Sequence, residues 1–176
     1  MKKKHFIDNN RLYYKGVVSL KLKAFEMVIW LFIVLVVVIF SAGCSVTELE
    51  GDTPPIPSVT VGEENIEVVR ASYCWNTGCV DYAGPPEILE GKVPFQVQKG
   101  ENIKIQFDYE PKPFSISVSR MLDTDQEWVK DELVNGVLTV PNEEGIYYYD
   151  FLVNWHSEDG KYSLGDSFYA FAIEVK

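Results

Sequence analysis

The sequence predicts an all-β fold, a single antiparallel sandwich over residues 58–176. Three observations lead there. Apolar residues recur with period two from Ser58 onward, polar turn residues punctuate those runs, and no long stretch of this region keeps a helical period.

The runs come in order. Val59 and Val61 alternate with Ser58 and Thr60, and Ile66 and Val68 flank Glu67. Ile103, Ile105, Phe107 and Tyr109 share one face of Asn102–Tyr109, and Phe114, Ile116 and Val118 one face of Phe114–Arg120. Val137–Val140 is a short run that ends at Pro141. Tyr147, Tyr149, Phe151, Val153 and Trp155 share one face of Ile146–Trp155. Tyr169, Phe171, Ile173 and Val175 do the same in Ser167–Val175. Turn signals lie between these runs at Gly62, Gly100, Pro111–Pro113, Asn135-Gly136, Gly145 and Gly160. A short helix is expected within Thr124–Leu133, where capping residues abound and β-branched ones are few.

The segment Leu138–Tyr147, LTVPNEEGIY, resembles the strand–corner–strand passage of immunoglobulin-like domains. There a glycine precedes a tyrosine whose hydroxyl ties the corner. The resemblance implies an immunoglobulin-like sandwich without its inter-sheet disulfide, because Tyr149 stands where the second cysteine would be. It implies no function.

The chain has 176 residues and a formal net charge of −10. Residues 1–44 hold 7 of the 16 basic and 2 of the 26 acidic residues, which leaves −15 for the rest. Such a charge argues against nucleic acid as a partner and against flat docking on anionic lipid. Cations, basic peptides and neutral partners stay open.

Met27–Phe40 is an uncharged apolar run behind a basic leader, and Ser41-Ala42-Gly43-Cys44 follows it. The run is short for a permanent span of the bilayer. The four residues resemble the lipobox of bacterial lipoproteins. That family's cysteine thiol is joined to diacylglycerol, and cleavage before it makes it the first mature residue. The resemblance implies a signal peptide at 1–43, a lipidated (palmitate-bearing) Cys44, and a lipoprotein on the extracytoplasmic face of the cell membrane. Ser41, where the family has Leu, Val or Ile, departs from the pattern. An uncleaved signal anchor is the competing reading, with the same sidedness. Residues 44–57, with Pro54, Pro55 and Pro57, read as a tether.

Cys74 and Cys79 lie in ASYCWNTGCVD, with Gly78 to turn the chain. Outside the cell a disulfide is the simplest expectation, pinning a hairpin or strand exit beside Trp75. Free or redox thiols and a metal site are the alternatives; neither the two-residue spacing of redox pairs nor further ligands are present. The segment is similar to YCW…CVD segments of uncharacterised surface lipoproteins of Gram-positive bacteria.

No motif names a catalytic residue or a cofactor. Asp123, Asp125 and Glu127 begin like a calcium loop, but Trp128 replaces the required glycine and Val134 the bidentate glutamate, so they are weak candidates and no metal is expected. Tyr148 and Phe168 face away from the apolar side of their strands and are candidate ligand-facing residues. His156 reads as a surface or loop histidine. The expected role is a membrane-anchored binding module for an envelope protein or peptide. A calcium- or small-ligand-sensing lipoprotein and an envelope enzyme are the alternatives.

Overall fold

A computed structural model describes residues 27, 29–33, 49–76 and 78–176. The chain divides into two compact units, Met1–Ser45 and Val46–Lys176. In the first, Met27 and residues 29–33 are helical. Among the described residues no helix is long and apolar enough to cross a membrane. The expected lipobox and Cys44 lie outside the described residues.

The second unit consists mostly of antiparallel strands in two sheets. The smaller sheet runs in the order β2 (Glu64–Asn65), β1 (Ser58–Val61), β6 (Asn102–Gln106), β9 (Val137–Thr139). The larger runs β4 (Gly78–Val80), β3 (Val69–Trp75), β11 (Ser163–Val175), β10 (Gly145–His156), β7 (Ser115–Leu122), β8 (Trp128–Asp131). A seventh strand, β5 (Phe95–Val97), adds in parallel to the end of β11. A single turn of helix, α1 (Pro85–Ile88), packs against β3, β10 and β11.

The long pair β10–β11 forms the spine because its period-two aromatics are all directed one way. Tyr147, Tyr149, Phe151, Val153 and Trp155 are buried, as are Tyr169, Phe171, Ile173 and Val175. Tyr149 stacks on Phe171 at 4.7 Å, and Phe151 on Tyr169 at 5.2 Å. Opposite them the smaller sheet supplies Val59, Ile103, Ile105 and Leu138. Burying such side chains is worth roughly 1.5–3 kcal/mol each relative to exposure, which sets the strand register.

Cys74 and Cys79 form a disulfide, with S–S 2.05 Å, across the β3–β4 hairpin. Asn135-Gly136 turns the chain with φ of 52° and 78°, and Val134 and Val137 exchange both backbone hydrogen bonds. Two residues of positive φ are what a type I′ turn needs, and Asn-Gly is its preferred pair. Tyr147 donates its hydroxyl to the Glu143 carbonyl at 3.2 Å and ties the chain there.

Two expectations are corrected. Residues 124–133 contain no helix. A turn at Asp123–Asp125 leads into β8, which pairs antiparallel with β7 from Met121↔Trp128 to Val118↔Asp131. Ladder hydrogen bonds and the Arg120–Asp131 ion pair (2.5 Å) outweigh a weak local helix preference. Residues 49–57 are also not a free tether. Leu49, Pro54 and Pro57 are buried, and the strap they belong to is fastened to the sandwich.

Candidate binding seam and the strap

The strap is held by its peptide groups. Asn76 accepts from the Leu49 N–H (3.2 Å) and donates to the Leu49 carbonyl (3.1 Å). Trp75 Nε1 donates to the Gly51 carbonyl at 3.0 Å, and the Tyr109 hydroxyl to the Glu50 carbonyl at 2.9 Å. Arg70 donates to the Pro54 carbonyl and Tyr169 to the Pro55 carbonyl. Asn76 sits at φ 50°, a conformation asparagine tolerates better than most residues. A side chain at Gly165 would meet Trp75, the Cys74 carbonyl and Leu49 at 2.9–3.0 Å, so only glycine admits the strap's apolar plug. Burial pushes the Tyr169 hydroxyl up to about 12.

A second region is built differently. β8 is one edge of the larger sheet and β9 one edge of the smaller. Two clefts are lined by residues of β7, β8, β9 and the segments next to them. One, of about 480 Å³, is lined by Arg120, Leu122, Asp125, Glu127, Val129, Pro141, Asn142, Glu143 and Tyr147. The other, of about 430 Å³, is lined by Asp131, Glu132, Val134, Val137 and Thr139. We call this the seam.

Register explains its chemistry. Arg120 pairs with Tyr149, and Asp131 with Val118, so both charges stand on the core-facing side of the larger sheet. They stay near the rim and neutralise each other, since a lone charge there would cost several kcal/mol. Burial draws the Arg120 guanidinium down, and the hydrogen bond and charge of Asp131 outweigh it, so the net shift is upward. Behind them lies Tyr149, fully buried, and among the described residues its hydroxyl has no hydrogen-bond partner. Burial, then the Asp131 charge, holds that hydroxyl protonated far above the usual tyrosine range. The rim is acidic through Asp125, Glu127, Glu132 and Glu143, and apolar through Val129 (51% exposed) and Val134 (55%).

The residues singled out from sequence fall as follows. Cys74 and Cys79 are bonded. Asp125 and Glu127 line the seam, whereas Asp123 lies by the Tyr148 hydroxyl, whose pKa is raised by burial first and by Asp123 second. Among the described residues no three His, Cys, Asp or Glu side chains come together to hold a metal. Tyr148 and Phe168 face outward but are not brought together: Tyr148 pairs with Ala172, and Phe168 with Leu152, four residues along β10. His156 stacks on Phe114 at 4.2 Å. Arg120, Asp131 and Tyr149 were not singled out as site residues. The one readable signal was Arg120, a charge in phase with the apolar series Ile116, Val118.

Comparison with protein-family models, with curated proteins and with solved structures finds no match to this chain, so any functional reading stands on the geometry above.

Proposed function

We propose that this chain is a binding module of immunoglobulin-like build. It is anchored through a lipid on Cys44 to the extracytoplasmic face of the cell membrane. It takes an extended, basic peptide segment of an envelope protein along the seam. The seam carries the reading. Among the described residues it combines an edge strand whose outward N–H and C=O groups meet no further strand, an acidic rim, and a buried hydroxyl without a partner. An added strand would satisfy the edge, and its lysine or arginine side chains would meet Asp125, Glu127 and Glu143. The Cys74–Cys79 disulfide suits an oxidising compartment, and the Tyr147 corner bond suits the immunoglobulin-like layout.

The test uses the full chain in detergent and a labelled hexapeptide of alternating lysine and valine, read by fluorescence anisotropy. Binding is expected with a Kd on the order of 100 µM. The same peptide N-methylated at alternate residues keeps its charge but cannot pair as a strand, and is expected not to bind. Glu127→Lys with Glu143→Lys is expected to weaken binding about tenfold. Equal binding of both peptides, or none of either, overturns the proposal.

A further inference from the structure

We infer that the end of the sandwich where the chain enters rests on the lipid headgroup layer, with Phe114 and Tyr162 as its interfacial aromatics. The inference uses the membrane reading of the Met27–Cys44 segment. It does not depend on whether a lipid or an uncleaved anchor does the holding, because both end near Cys44. Leu49 is five residues on, which gives the chain a reach of at most about 18 Å. Leu49 itself is fixed at Asn76, beside Trp75 and Gly165. On the membrane reading, chain connectivity alone keeps Leu49 within that reach of the anchor point.

The same end carries the two most exposed aromatic side chains of the described sandwich, Tyr162 at 69% and Phe114 at 62%. Register puts them there. Trp75 pairs with Gly165, and His156 with Ser163, so the β3–β4 turn and the β10–β11 loop sit side by side. Phe114 stacks flat on His156, and its ring lies 3.7 Å from where a Gly160 side chain would begin. Tyr162 is held by exchange with Ser157, at 2.8 Å to its carbonyl and 3.1 Å from its N–H. Neither ring covers core. Both are amphipathic or apolar bodies of the kind that settle at headgroup depth. The two flanking cations are compensated: Lys112 pairs with Glu110 at 3.2 Å and Lys161 with Asp159 at 3.0 Å. Among the described residues of these two loops Asp108 and Glu158 have no ion-pair partner, and this acidic surplus favours zwitterionic headgroups over anionic ones.

The experiment places the full chain in phosphatidylcholine nanodiscs carrying a headgroup-level paramagnetic lipid. Signal attenuation is read at the Phe114 and Tyr162 rings and at the Val93 methyls. Val93 is 90% exposed and lies two residues from Phe95, which pairs with Ile173. It is thus most of the length of β11 away, about 35 Å. Phe114→Ser and Tyr162→Ser assign the rings. Phe114 and Tyr162 are expected to lose signal at least about twofold more than Val93. Equal attenuation at the two ends, or stronger attenuation at Val93, overturns the inference while the membrane reading stands. Failure of the chain to co-purify with the nanodiscs removes the membrane reading, and the inference falls with it.

Discussion

The strap and the seam use the same kind of group in opposite ways. At the strap, Trp75, Tyr109 and Tyr169 aim their N–H or O–H at strap carbonyls. At the seam, Tyr149 is buried as deeply as Tyr169, yet among the described residues its hydroxyl has no partner. A buried polar group left unpaired costs about 1–3 kcal/mol. The first region is therefore finished by the chain itself. The second keeps hydrogen-bonding capacity unused next to an unpaired sheet edge.

The largest expected effect tests how far the strap end is structural. Trp155 is fully buried, packs edge-on against Trp75 at 5.0 Å and donates to the Pro111 carbonyl at 3.1 Å. Trp155→Ala is expected to cost about 3–5 kcal/mol, read by chemical denaturation of the purified chain. A cost below about 1 kcal/mol would mean that this end is not the firm one.

The next test separates the two tyrosines. Tyr169→Phe removes a made hydrogen bond and leaves the Pro55 carbonyl short of a donor, so about 1–2 kcal/mol should be lost. Tyr149→Phe removes only an unpaired hydroxyl and should leave stability unchanged or raise it by up to about 1 kcal/mol. Equal losses in both variants would erase the contrast.

The smallest effect concerns a half-buried carboxyl outside both regions. Asp150 faces outward from β10 between Ser119 and Ala170, and burial pushes its carboxyl up from 3.8 to about 6. The folded state therefore holds the proton more tightly than the unfolded chain. Stability from this group is full below about pH 4 and lost as pH rises through about 6. Asp150→Asn should add about 1 kcal/mol at pH 8, after allowance for partial exposure, and nothing at pH 4. A gain that does not vary with pH would show that the carboxylate is not the cause.

Much of the sandwich was legible because its large side chains alternate without interruption. Ile146–Trp155 could be read as a half-buried strand from its aromatics alone, and the structure extends it by one residue at each end. The β7–β8 hairpin was not legible. Thr124–Leu133 has few β-branched residues, and its strand character comes from pairing with β7 rather than from its own preference. The strap was misread for a related reason. Proline content says that a chain is extended, but not that Trp75, Tyr109 and Tyr169 stand ready for its carbonyls. The seam is assembled from β7, β8, β9 and residues 141–143, which share no spacing in the sequence. A lone arginine in phase with an apolar series was its only trace.

The strap's hydrogen bonds have one further property. Each named bond ends on a main-chain atom: the Leu49 N–H and carbonyl, and the carbonyls of Glu50, Gly51, Pro54 and Pro55. Main-chain atoms are the same in every residue. The sandwich therefore grips a path rather than a sequence, with identity demanded only where side chains are buried, at Leu49, Pro54 and Pro57. Such a leader is interchangeable. A foreign segment that kept those three positions would dock in the same groove, and the domain could be carried by a new anchor without redesign of its core.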